Sequence, residues 1–263
     1  MAEPARKHSH GEDREPDTEP SVVLLQRWVE RPDGRLELLE MPLTPEDFLD
    51  PQLEDKMVQG WPHSRNVHIL YEMLESHLQP EDDVIVLSDV KHLLGPGLPG
   101  PSPDVSVIRG ARNPDPDLSS FDVTEQGVVP CLVIEVVSPF DARIRRTDEV
   151  DKVRLYERVG IPEYVLVFMP RRKREPRFRL KGHRLGSGGR YRPIELDAQG
   201  LLLSETTHLR FGVSPAGDRI VVIDDRTGEQ LLSPKEEKQA RRTAEAELER
   251  LRAEIDRDPH VRR

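Results

Sequence analysis

The segment Leu132-Val133-Ile134-Glu135-Val136-Val137 constrains this chain more than any other. Five of its six side chains are apolar with no alternation, so a strand here is covered on both faces and lies inside a sheet. The exception is Glu135, and a carboxylate in such a strand needs a partner, a metal or a proton, because an isolated buried charge is expensive. Residues Thr147–Arg158 follow with apolar Val150, Val153 and Leu155 at helical spacing, closed by Gly160-Ile161-Pro162. Residues Glu163–Met169 then resume as an apolar strand. Strand, helix, strand implies a crossover and a parallel pair, hence an α/β fold.

Upstream, Val22–Val29 and Arg35–Leu39 read as a hairpin across Pro32-Asp33-Gly34, and a helix starts near Pro45. Residues His63–Leu78 carry Val67, Leu70, Leu74 and Leu78 at helical spacing. Asp83–Val90 and Pro103–Ile108 read as strands, and a polar loop is expected from Gly110 to Gly127. Shorter strands are expected at Phe178–Leu180, Tyr191–Leu196 and Ile220–Asp224, with a hairpin turn at the basic run Arg171–Arg174. The stretch from Pro234 to about Asp256 reads as a long charged helix with a thin stripe of Ala244, Leu248, Leu251 and Ile255. Residues 1–20 are expected to be a disordered tail, 21–230 the main domain with 21–60 as an N-terminal extension, and 231–263 a charged helix available for self-association.

Composition narrows the class without deciding it. A single cysteine, Cys131, excludes an internal disulfide and, with no apolar run long enough to span a bilayer, makes a cytoplasmic protein the expectation. The net charge of −10 disfavours nonspecific coating of nucleic acid but not a local docking patch. His63 and His68 lack a third ligand at zinc spacing, Ser138 lacks triad partners, and no phosphate-cradling glycine motif is present.

What remains is Asp104 opening one strand, Glu135 inside the next, and Lys152 in the following helix. Mg²⁺ takes oxygen ligands and is commonly held by one or two carboxylates plus substrate phosphate. A nearby lysine can orient water and stabilise charge on a phosphate. Asp148, Lys152 and Tyr156 recur at four-residue spacing and share a helix face. Arg143, Arg145 and Arg146, expected on a loop beside the site, are candidate phosphate contacts, or simply a charged loop.

Pro103-Asp104-Val105, then Leu132 to Pro139, then Asp148-x3-Lys152-x3-Tyr156, then Gly160-Ile161-Pro162-Glu163-Tyr164 together resemble the Uma-two family of restriction-endonuclease-type proteins, within the PD-(D/E)XK superfamily. The resemblance runs from about His63 to Phe211. It implies a restriction-endonuclease-like mixed β-sheet flanked by helices, with Mg²⁺, or Mn²⁺ in its place, bound at Asp104 and Glu135. The superfamily lysine is absent at Val137, and the family pattern moves its role to Lys152. An acidic residue of the first helix often assists, which makes Glu72 an accessory candidate. The expected activity is metal-dependent phosphodiester hydrolysis, of DNA first with RNA left open, by a chain that can form a homodimer. The alternative is a catalytically inactive module that binds nucleic acid or protein on the same fold.

Overall fold

The computed structural model describes residues 23–78, 83–111, 119–139, 141–171 and 177–257. The tail expected over 1–20 and residues 172–174 of the basic run lie outside them.

The chain opens with the expected hairpin, β1 (Leu24–Glu30) and β2 (Leu36–Pro42), turning at Gly34 with φ of 80°. Helix α1 (Pro45–Leu49) starts at Thr44, whose side chain accepts from the Asp47 N–H, and β3 (Lys56–Val58) pairs with β1. The long α2 (Trp61–Leu78) precedes β4 (Val84–Leu87), β5 (Lys91–Leu93) and β6 (Val105–Arg109). Within the expected loop to Gly127 lie β7 (Ser120–Asp122), paired in parallel with β5, and the short α3 (Val123–Gln126), capped by Asp122. Next comes β8 (Leu132–Val137).

The three arginines expected on a loop after β8 instead occupy a helix, α4 (Ala142–Arg146), because Asp141 accepts from the N–H groups of Arg143 and Ile144 and starts it. One wide π turn, Thr147–Asp151, joins α4 to α5 (Lys152–Val159), which ends at Gly160 in the left-handed conformation. The remaining elements are β9 (Glu163–Phe168), β10 (Arg179–Leu185), β11 (Tyr191–Ile194), β12 (Leu202–Ser204), β13 (Leu209–Val213), β14 (Ile220–Asp224) and α6 (Pro234–Arg257).

The central sheet runs β11-β10-β9-β8-β6-β4, with β8 and β9 parallel and the other neighbours antiparallel. As expected from its composition, β8 is interior and every one of its residues is buried. One sheet face packs Val165 and Val167 against α2 and the three-stranded sheet β12-β13-β14. The other packs Val133, Val137, Leu166 and Phe168 beside Leu155 and Tyr156 of α5. The sheet β2-β1-β3 is separate from the central one and closes over α4, with Leu25 and Leu43 against Ile144. The mixed sheet with flanking helices makes this an α/β fold, as the order of strand, helix and strand implies.

Candidate active site

Register places the first two carboxylates side by side. Val105 pairs with Ile134 in antiparallel β6 and β8, so one step further Asp104 stands opposite Glu135. Asp104 is fixed at the strand mouth by its Oδ2, which accepts the Val136 N–H at 2.6 Å. Ser88 and Asp89, just after β4, are tied to the same point: the Ser88 hydroxyl donates to the Asp104 carbonyl and the Asp89 N–H to that of Pro103.

Lys152, at the start of α5, is fully buried. Its Nζ donates to Glu135 Oε1 at 2.8 Å and lies 2.9 Å from Asp148 Oδ1, an ion contact without the alignment of a hydrogen bond. The π turn gives Asp148 its place facing Lys152, and wide turns of this kind recur at functional sites. The ammonium also sits 3.9 Å from the centre of the Phe48 ring, contributed by α1.

The electrostatics follow from crowding charge into a dry place. Burial pushes the Glu135 carboxyl well above the usual range, opposed by Lys152 and reinforced by Asp104. Burial likewise raises Asp148, to about 6, against the pull of Lys152. Burial would strip the proton from Lys152, yet Asp148 and Glu135 outweigh it and the ammonium is held more firmly than usual. Asp104 is lowered in spite of burial, because His63 and the Val136 N–H favour its charged form. Lys152 is therefore a fixed charge rather than a base.

The structure brings Asp104, Glu135, Asp148 and Lys152 together. Tyr156 lies beside them, fully buried, edge-on to Tyr164 at 5.0 Å, and with no hydrogen-bond partner for its hydroxyl among the described residues. Burial first, then Glu135 and Asp148, keep that phenol protonated. Glu72 does not join the group: it faces outward on α2, 3.7 Å from His68. Arg143 folds back on its own cap Asp141 at 3.1 Å, Arg145 pairs with Glu149, and Arg146 is exposed.

Two neighbours escaped the sequence reading. His63, from the first turn of α2, places Nε2 3.3 Å from Asp104 Oδ2, with its Nδ1 buried and without a partner among the described residues. Burial lowers its basicity, but Asp104 more than restores it, so the net shift is upward. Asp89 has φ of 55°, a left-handed backbone unusual for a residue with a side chain, and the surrounding protein first and Asp104 second hold its carboxyl above the normal range. Its signal was a carboxylate at a strand end, the same signal that marked Asp104.

A cavity of about 290 Å³ opens onto the group, lined by Asp104, Asp148 and His63 below and by Leu43, Phe48 and Met57 of the N-terminal segment above. Among the described residues no three His, Cys, Asp or Glu side chains converge as a ready metal cage. The donor chemistry nevertheless fits a hard cation, since adjacent carboxylates suffice when water and substrate phosphate complete the shell. Asp104 and Glu135, side by side on neighbouring strands, could hold it.

The family model Uma2, "Putative restriction endonuclease", matches residues 25–217. Among solved structures, "a putative nuclease belonging to DUF820 from Anabaena variabilis ATCC 29413" is similar at 15% identity and a TM-score of 0.42, over 63% of this chain and 91% of that one. No curated protein matches. With 25–217 matched out of 263 residues, this chain belongs to the Uma2 family of putative restriction endonucleases.

Proposed function

We propose that the protein is a metal-dependent endonuclease that hydrolyses phosphodiester bonds, in DNA before RNA, with Mg²⁺ held by Asp104 and Glu135 and replaceable by Mn²⁺. The observation that carries this reading is the buried pair of carboxylates on neighbouring strands, served by one buried ammonium. A structural ion pair needs one carboxylate, whereas this site crowds Asp104, Glu135 and Asp148 around Lys152 and leaves a cavity beside them.

When bound, the cation supplies Lewis-acid polarisation of the scissile phosphate. The chain's own residues do the rest. The Val136 N–H and His63 orient Asp104, Lys152 sets its charge against the phosphate, and Asp148 holds Lys152 in line. His63 can hold or release a proton at Asp104 Oδ2. Residues 21–230 would form the catalytic unit, and 231–263 would join two copies, as suits cutting both strands.

The test is incubation of supercoiled plasmid, single-stranded DNA and RNA with the protein in Mg²⁺, Mn²⁺ or EDTA, beside Glu135→Gln, which keeps a hydrogen-bond acceptor for Lys152. Cutting that needs metal and falls at least a hundredfold in the variant is expected. Cutting by Glu135→Gln at the parental rate would rule out this ligand set. One observation favours a second reading, a catalytically inactive binding module: Lys152 already pairs with Glu135 and Asp148 without metal. That reading requires nucleic-acid or protein binding that survives EDTA and Asp104→Ala with no cutting of any substrate.

A further inference from the structure

A second cleft, of about 500 Å³, lies on the far side of the α4 and π-turn wall. Ile144 and Asp148 line the carboxylate cavity, while their chain neighbours Arg145 and Glu149 line this cleft. Its floor is Phe168, at the end of β9, with the Arg179 guanidinium 5.1 Å and that of Arg145 5.9 Å from the ring centre. Lys181 completes a set of three basic groups.

Register ties this cleft to the candidate active site. Glu135 pairs with Leu166 and Leu166 with Lys181, while Val137 pairs with Phe168 and Phe168 with Arg179. Directly opposed residues point to one side of a sheet, so Glu135, Phe168, Arg179 and Lys181 share a face. Two strand spacings separate Lys181 from Glu135, roughly 10 Å. That is about three nucleotide rises along one strand of a duplex. Both sites also lie toward the carboxyl ends of the parallel strands β8 and β9, where open α/β sheets bind ligands.

Charge selects the occupant. The chain carries a net −10, yet Arg177-Phe178-Arg179-Leu180-Lys181 is basic at alternate positions. Arg179 and Lys181 are exposed. The Arg145–Glu149 pair is partly exposed, and ion pairs of that kind are weak enough to yield to a phosphate, which accepts charge-assisted bonds from a guanidinium fork.

We propose that this cleft holds the phosphodiester backbone of the substrate nucleic acid, with Arg145, Arg179 and Lys181 contacting its phosphates. The assignment rests on the nuclease reading above and adds where the strand lies.

The experiment is fluorescence anisotropy with a labelled DNA duplex of about 20 base pairs in EDTA, over a salt series, for the full chain and three double variants. Each phosphate contact contributes about 0.9 to the slope of log affinity against log salt. R179A/K181A is expected to lose about 2 from that slope and at least tenfold in affinity, while R179K/K181R keeps both. R31A/R35A, which removes two exposed charges at the turn between β1 and β2, is expected to match the parent. If R179A/K181A binds with the parental slope and affinity, the backbone lies elsewhere and the nuclease reading stands. If the parent neither binds nor cuts any nucleic acid, the reading itself falls and this inference with it.

Discussion

Glu135 and Glu163 stand on adjacent strands with 2% and 0% exposure, yet they answer burial in opposite ways. Glu163 accepts from Arg184 Nε, the Ser204 and Thr206 hydroxyls and the N–H groups of Glu205 and Thr206, which ties β9 to the end of β12. It is a satisfied structural carboxylate. Glu135 shares one ammonium with Asp148. An apolar run marks a misplaced charge in the sequence, so Glu135 was legible. The partners of Glu163 are 21 to 43 residues away, and local pattern does not carry them. Removing Lys152 exposes the difference. Lys152→Met leaves two buried carboxylates without a counter-ion and is expected to cost about 3–5 kcal/mol at neutral pH. Both carboxyls already titrate above their ordinary range through burial. Without Lys152 the folded state binds more protons than the unfolded chain from about pH 4 upward, so its stability falls as pH rises. Urea unfolding at about pH 5 and 7.5 should therefore show the smaller loss at pH 5; equal losses would remove unpaired charge as the cause.

At the scale of elements, the interior strands and α2 were legible because burial writes directly into composition. The helix after β8 was legible only from Thr147, since the π turn shifts the phase between Ile144 and the apolar positions of α5 and breaks the 3.6-residue period. The β5 and β7 pair was missed because three-residue strands have no periodicity to read. Its fixing point is His92, whose ring bonds the Val90 carbonyl at 2.7 Å and the Ser106 hydroxyl at 3.0 Å, two residues from Asp104. Burial pushes this imidazole down to about 4, the Val90 carbonyl opposing only in part. A group depressed on folding contributes stability that is complete above its unfolded value of about 6.5 and is lost as pH falls toward 4. The loss is on the order of 3 kcal/mol at about 1.4 kcal/mol per unit. Thermal melts from pH 4 to 7.5 should show this decline for the parent and a flatter one for His92→Gln; parallel curves would exclude His92 as its source.

For the whole molecule, the parallel pair and the flanking helices followed from element order. The position of the N-terminal segment did not, because the contacts of Leu25 and Leu43 with Ile144 and of Phe48 with Lys152 span about a hundred residues. The terminal helix was read almost to its ends, and its side chains are exposed through Glu254 apart from the partly buried Glu236. Twenty-four residues make a rod of about 36 Å, with Leu248 and Leu251 nearly half exposed. An amphipathic helix this bare gains most by pairing with another. Light scattering is expected to give a dimer for the full chain and a monomer after truncation at Ser233; equal oligomeric states would end the proposal. The N-terminal segment has a last consequence. Asp104, Glu135, Asp148 and Lys152 are at most 5% exposed beneath Leu43, Phe48 and Met57, and about 290 Å³ admits a hydrated ion but no duplex. On the nuclease reading proposed above, a phosphodiester would reach Glu135 only in the fraction of molecules whose roof has lifted. Apparent dissociation constants for productive substrate therefore equal the intrinsic ones divided by that fraction, and thinning the roof is a route to tighter binding that touches no ligand contact.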